Sequence, residues 1–226
     1  DIPSGIYADT GVSAGCSINA KITLPIGYAK YGHFFNDGLQ HSNNIFTLDI
    51  GFPKIKVNNY IQLIEKSDVR DLMPKHKCNI NKYSRGKTLI IAGSLGYTGA
   101  CILAAKSAIN SGAGLIKIIA PISLKNIYET VLVEPIIKYY DDNDSCILSF
   151  KHIKQIIDEI LWADSILFGP GLGYGRDKEK LKAKILKSIN IPLVLDASGF
   201  ESLNNGDLNI NDLPKLTILT PHYNEG

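Results

Sequence analysis

The chain has 226 residues, 45% of them apolar and 20% charged, enough apolar content to bury one or two cores, which excludes disordered and fibrous classes. Its 24 basic and 22 acidic residues leave a formal charge of +2 with no long run of either sign, so neither a nucleic-acid surface nor a polybasic membrane surface is expected, and the partners should be small molecules. Cys16, Cys78, Cys101 and Cys146 lie far apart with no Cys-x-x-Cys pair, which argues against a zinc site or disulfide framework and for buried, reduced thiols.

In chain order, residues 1–55 are rich in glycine turns, with strands expected over 22–24 and 45–49 and no long helix. They read as the tail of another domain. Residues 58–85 form a polar junction with a charged segment at 65–71 and Pro74-Lys75-His76-Lys77. From Lys87 onward, strands expected over 87–92, 115–120, 165–168, 192–195 and 216–220 alternate with helical patterns, and 133–138 is a weaker sixth strand. These strands are continuously apolar, as expected of strands buried on both faces. The expected helices cover 98–111, with Ile102, Ala105 and Ile109 on one face and Gly112 and Gly114 as its stop, then 153–163 and 178–189, the last with a lysine-rich solvated face. The pattern predicts an α/β domain with a mostly parallel sheet. No apolar run approaches the about 20 residues of a membrane helix, and the start lacks the order of a signal peptide. A cytoplasmic location is therefore expected. With no Met before Asp1 and a stop at Gly226 just past a strand, the chain reads as an internal fragment.

Ligands of open α/β sheets bind beyond the carboxyl ends of the strands, and four loops there are unusual. Gly93-Ser94-Leu95-Gly96-Tyr97-Thr98-Gly99 spaces three glycines by three and runs straight into a helix, which suits close backbone approach and an anion at the helix start. Its spacing matches neither the dinucleotide fingerprint nor the P-loop, and a tight turn capping a helix explains it equally well. Gly169-Pro170-Gly171-Leu172-Gly173, followed by Tyr174 and Gly175, holds four glycines in seven residues. Such density suggests backbone against a ligand, with a flexible connector as the alternative. Asp196 ends the run from Pro192; it can face a hydroxyl or a metal-phosphate group, or serve as a helix N-cap, since Ser198 and Glu201 follow. Thr220-Pro221-His222 brings an imidazole to the same edge, whereas His33, His41, His76 and His152 read as surface groups. No nucleophile elbow or His-Glu-x-x-His helix is present.

Together, Lys82-Tyr83-Ser84-Arg85-Gly86, the 92–100 loop, Ser111-Gly112-Ala113-Gly114-Leu115, the 169–173 loop, Leu195-Asp196-Ala197 and Leu219-Thr220-Pro221-His222 resemble the NAD(P)H-hydrate dehydratase family over about residues 82–225. The resemblance implies a three-layer ribokinase-like domain. Asp1-Ile2-Pro3-Ser4-Gly5, with Ala8-Asp9-Thr10-Gly11, is similar to the late part of the Rossmann-like NAD(P)H-hydrate epimerase domain often fused ahead of it. Domains of 1–57 and 58–226 follow. What the family implies is repair of hydrated NADH or NADPH: epimerisation at C6, then dehydration driven by ADP (or ATP) with Mg2+, with K+ in the epimerase. Carried over, Thr98, Gly99, Ala100, Gly169, Gly171, Gly173, Asp196 and His222 line the hydrated dinucleotide, Asp1 contacts substrate in the epimerase part, and Ser4 helps hold K+. Ser198-Gly199-Phe200 stands where many relatives have Asp-Ala-Leu, and Tyr223-Asn224-Glu225 where Pro-Gly-Glu is common. In this family a glycine-rich anion hole and the general-base Asp come from a segment beyond residue 226, so the catalytic residues stay unknown here and the chain alone is expected to catalyse neither step. Two alternatives remain open: a ribokinase-like small-molecule kinase, and a non-catalytic nucleotide-binding module. Homo-oligomerisation is also open.

Overall fold

The computed structural model describes residues 1–53, 61–73, 81–173 and 176–222, the side chains of 176 and 177 excepted. The chain forms two compact units, Asp1–Lys75 and His76–Gly226. The expected boundary between 57 and 58 lies outside the described residues.

In the first unit, β1 (Ile22–Thr23) pairs in parallel with β2 (Asn44–Ile45). Both are shorter than expected, and only an isolated parallel bridge from Ile26 to Leu48 extends their pairing. The described residues of this unit also form two short helices, α1 (Asn36–His41) and α2 (Lys66–Leu72), and a 3-10 turn over Tyr31–His33. Glycines fix its turns: a Cβ on Gly11, at φ +75°, would lie 2.0 Å from the Phe35 carbonyl oxygen, so the chain crosses itself where only glycine fits. His33 is fully buried rather than a surface group. Its Nδ1 accepts from the Lys30 N–H at 2.8 Å and its Nε2 meets the Asp1 carbonyl at 2.8 Å. Burial pulls its pKa below the usual histidine value.

The second unit carries β3 (Lys87–Ile91), β4 (Leu115–Pro121), β5 (Ile136–Tyr140), β6 (Ser165–Phe168), β7 (Leu193–Leu195) and β8 (Thr217–Leu219). They form one sheet in the order β5-β4-β3-β6-β7-β8, with every neighbouring pair parallel. The helices are α3 (Thr98–Asn110), α4 (Lys125–Val131), α5 (Ile153–Trp162), α6 (Arg176–Leu186) and α7 (Glu201–Asn204). Successive strand residues face opposite sides, and two cores result. Ile90, Ile118 and Ala120 pack with Cys101 and Ala105 of α3 and Tyr128 of α4. Leu89, Ile91, Ile166, Phe168, Leu193 and Leu195 pack with Ile156 and Ile160 of α5 and Leu181, Ile185 and Leu186 of α6. Helices therefore cover both faces, as strands buried on both sides require, which gives the three layers that the family resemblance implies.

The differences from expectation have local causes. β5 begins after Pro135, which has no N–H for a ladder, and runs on to Tyr140 because Ala120 and Pro121 supply partners. β8 is an edge strand rather than one buried on both faces, and Ile218 is 62% exposed. The short helix α4 lacks a sequence signal of its own. Cys101 and Cys146 are buried thiols, but Cys16 is exposed, and Cys78 lies outside the described residues. Burial pushes the Cys101 thiol up to about 12, so it is no nucleophile at neutral pH. Among the described residues, no helix is long and apolar enough to cross a membrane.

The loops at the carboxyl ends of β4 and β5 are latched by Asp142, which is buried. It accepts from the Ser123 hydroxyl at 2.5 Å, the Ser123 N–H at 3.2 Å and the Cys146 N–H at 2.6 Å. Burial pushes its carboxyl up, and these donors pull it down further, so it stays ionised below the usual carboxylate value. The stability it contributes is complete above the unfolded-state value near ~3.9 and is lost as pH falls through the lower folded value. Asp142→Asn is expected to cost ~1–3 kcal/mol at pH 7, and the deficit should shrink at pH 3. Urea titrations of both proteins at the two pH values test this; an equal deficit at both would overturn it.

His152 is likewise buried, not a surface group. Its Nε2 meets the Asp141 carbonyl at 2.8 Å, and its Nδ1 accepts from the Ser149 N–H at 3.0 Å.

Candidate functional site

The chain leaves β3 in one direction through β4 to β5, then returns to place β6 against the other side of β3 and continues outward to β8. The crevice between the carboxyl ends of β3 and β6 is thus the topological switch point, where open α/β sheets bind their ligands. Both glycine loops emerge there.

They are bonded to each other. The Gly93 N–H donates to the Pro170 carbonyl at 2.8 Å, the Gly169 N–H to the Ile91 carbonyl at 3.1 Å, and the Ser94 hydroxyl to the Gly171 carbonyl at 2.8 Å. Glycine is required at this seam. A Cβ on Gly171, at φ +67°, would lie 2.7 Å from the Tyr97 Cβ, and one on Gly169, at φ +122°, only 1.9 Å from the Asp196 carbonyl oxygen. Gly96 and Gly99 differ, because a Cβ on either would meet nothing within 4 Å. The first loop therefore opens onto free space where α3 begins, and that helix start has no side-chain cap. Exposed helix N–H groups facing a glycine-lined gap suit a phosphate or other anion.

Asp196 follows β7 at the same edge. It precedes a 3-10 turn over Ala197–Gly199, but its side chain caps nothing there. Instead, its Oδ1 accepts from the Thr220 hydroxyl at 2.7 Å, which ties the ends of β7 and β8. The next residue, Ala197, is held at φ +48°, a left-handed conformation unusual for alanine and typical of strained functional loops. Ser198 is buried, and its hydroxyl donates to the Gly169 carbonyl at 2.9 Å. His222 is exposed two residues past Thr220.

Thr98, Gly99, Ala100, Gly169, Gly171, Gly173 and Asp196 thus gather at one sheet edge, with His222 at the end of the adjoining strand. Asp1 and Ser4 lie in the other unit. There, Asp1 pairs with Lys30 and accepts from the Ile26 N–H at 3.1 Å, while the Ser4 carbonyl accepts from the Ile18 N–H at 2.9 Å.

Three polar groups that the sequence reading did not single out border this edge: Ser94, Lys178 and Lys182. A Cβ on Gly173 would lie 3.0 Å from the Lys178 Nζ and 3.4 Å from the Ser94 Oγ, so both polar groups sit against the second loop. Lys182 belongs to the helix face expected to be solvated, yet it is 2% exposed. The signal was available, because Lys182 precedes Ile185, Leu186 and Ile189 by three, four and seven residues, the spacing of the buried face.

The family model for NAD(P)H-hydrate dehydratase matches residues 88–226. Among curated proteins, the bifunctional NAD(P)H-hydrate repair enzyme Nnr of Dictyoglomus turgidum is 30% identical over all of this chain and 44% of its own length. The protein of the same name from Thermofilum pendens is 26% identical over all of this chain and 43% of its own. The chain therefore spans less than half the length of these relatives. Among solved structures, a ribokinase-like superfamily protein from Enterococcus faecalis superposes with a TM-score of 0.60 at 24% identity, covering 75% of this chain and 58% of that one. The ADP/ATP-dependent NAD(P)H-hydrate dehydratase of Bacillus subtilis, co-crystallised with ATP/Mg2+, gives 0.55 at 24% identity, covering 71% of this chain and 53% of that one. The fold is ribokinase-like, and with the family model matching more than half of its residues, the chain belongs to the NAD(P)H-hydrate dehydratase family.

Proposed function

We propose that the second unit holds hydrated NADH or NADPH and an adenine nucleotide at the edge formed by the two glycine loops, for ADP- or ATP-dependent dehydration in the whole protein. The observation that carries this reading is the bonded pair of glycine loops at the switch point, open to free space at Gly96 and Gly99. Backbone N–H groups there would take phosphate oxygens, and the carboxylate of Asp196 would accept from a substrate hydroxyl. Thr98, Ala100, Gly169, Gly171, Gly173 and His222 line the same edge in this reading. Phosphorylation of the C6 hydroxyl forms a C–O–P linkage, with the shortened nucleotide leaving. Elimination then breaks the C6–O bond and releases inorganic phosphate with a proton, restoring the dihydronicotinamide. The loops contribute alignment and charge stabilisation, which is most of what phosphoryl transfer needs.

Magnesium usually binds through one or two carboxylates together with substrate phosphates, and a single carboxylate, Asp196, at a phosphate-binding edge fits an ion of that kind. The first unit is proposed as the late part of an NAD(P)H-hydrate epimerase domain, with Asp1 facing substrate and the exposed Ser4 near K+.

Titration of the purified chain with hydrated NADH, followed calorimetrically with and without ADP and magnesium, tests the site. Saturable binding in roughly the micromolar to millimolar range is expected. Absence of saturable binding, or phosphorylation of a sugar or vitamin alcohol without elimination, would overturn the proposal.

A further inference from the structure

The second glycine loop is anchored from behind by a buried cation. The Lys182 ammonium donates to the Gly173 carbonyl at 2.7 Å and to the Ser198 carbonyl at 2.9 Å, and it pairs with Glu201. Lys182 is 2% exposed and the Glu201 side chain 15%, so the pair sits out of water. Burying such a pair is costly, and apolar residues of similar volume in place of both partners commonly serve stability as well or better. Its use here therefore calls for a reason other than stability. The two carbonyls it grips provide one. Gly173 ends the loop that follows β6, and Ser198 lies in the turn that follows β7, two residues past Asp196. Ser198 also returns a bond to the Gly169 carbonyl, so one ammonium and one hydroxyl fasten both ends of the second loop to the turn carrying Asp196.

We propose that Lys182, held by Glu201, is a positioning residue that sets the distance between the second glycine loop and Asp196 and so fixes the shape of the ligand-binding edge. A charged donor suits this task because it grips carbonyl oxygens more strongly than a neutral one. The Lys178 Nζ, close to Gly173 on the same helix, is a separate group and is not required for the clamp.

The inference rests on the binding site proposed above, and its test separates the two. Wild-type chain is titrated with hydrated NADH alongside Lys182→Met, Lys182→Arg and Glu201→Gln. Amide exchange is followed at Leu172 and Gly173, with β3 as an internal reference. If the wild type does not bind, the functional reading fails, whatever the variants do. If it binds, Lys182→Met should lose at least about tenfold in affinity and exchange faster at the loop while β3 exchange stays unchanged; its Tm should fall, because Glu201 is left without its ammonium, and adding Glu201→Ala should recover Tm but not affinity. Lys182→Arg should recover part of the affinity. Wild-type affinity in Lys182→Met, or affinity that recovers together with Tm in the Lys182→Met/Glu201→Ala double variant, overturns the clamp. Should Lys182→Met fail to fold, Glu201→Gln decides: faster loop exchange with weaker binding supports the proposal, and unchanged binding overturns it.

Discussion

Gly169→Ala should destabilise the second unit by about 3 kcal/mol or more and abolish ligand binding, whereas Gly99→Ala should leave the fold intact and still impair binding. At Gly169 two costs combine. The backbone has φ +122°, a conformation essentially reserved for glycine and worth about 1–3 kcal/mol to any other residue. The new methyl would also meet the Asp196 carbonyl oxygen, 1.9 Å away in the unrelaxed backbone, and forced overpacking adds a further ~1–3 kcal/mol. Relief requires moving the turn that carries Asp196, so binding falls with stability. Gly99 has neither liability. It is helical, its φ is ordinary and a Cβ meets open space, so alanine should stabilise α3 by up to about 1 kcal/mol. The same methyl, however, stands where a ligand is proposed to approach, and affinity for hydrated NADH should fall by roughly tenfold, about 1.4 kcal/mol. Denaturant unfolding and calorimetric titration of both variants separate these effects. A Gly99→Ala chain that binds as tightly as wild type would remove the first loop from the site.

The second large effect concerns the buried ion pair. Glu201→Ala leaves the Lys182 ammonium in a dry setting without its carboxylate, and breaking a buried pair from one side costs ~3–5 kcal/mol. The cost should depend on pH. Burial already pulls Lys182 below the usual lysine value, while Glu201 pushes it back up; removing Glu201 lets burial act with less opposition. A lysine whose folded value is depressed binds fewer protons folded than unfolded in the interval between the two values. Stability therefore rises with pH across that interval, and the penalty is complete below it. The Glu201→Ala deficit should be largest near pH 7 and shrink as pH rises toward the ordinary lysine value of ~10.4. Adding Lys182→Met to Glu201→Ala should restore most of the lost stability at pH 7, because no buried charge remains. Thermal unfolding of the single and double variants between pH 7 and 10 tests both statements; a flat pH dependence with no rescue would show that the ammonium is not the source of the cost.

These predictions turn on neighbours that only the folded chain brings together. The expected strand over 165–168 matches β6 residue for residue, and the continuous apolar runs gave the central strands because β3 and β6 are indeed covered by helices on both sides. Where covering differs, the reading slips. β8 sits at the edge with Ile218 exposed, and an apolar run cannot report its place in a sheet. Lys182 reads as solvated by its chemistry and as buried by its spacing, and spacing prevailed because Glu201, nineteen residues on, supplies a partner. His33 and His152 went unrecognised as core groups because their partners are mainly backbone atoms fixed by turn geometry.

By itself the sequence determined the alternation of strand and helix, the parallel sheet, the position of four loops at strand ends and the family resemblance, since these depend on local composition and on motifs in fixed order. Only the tertiary structure decided which glycines are indispensable and which face open space, because that depends on atoms far away in the chain: the Asp196 carbonyl behind Gly169, Tyr97 beside Gly171, and nothing beside Gly96 or Gly99. It also decided that Asp196 bonds Thr220 instead of capping a helix. A side chain's local options are written in the sequence, but the choice among them belongs to whichever partner the fold brings within hydrogen-bonding distance.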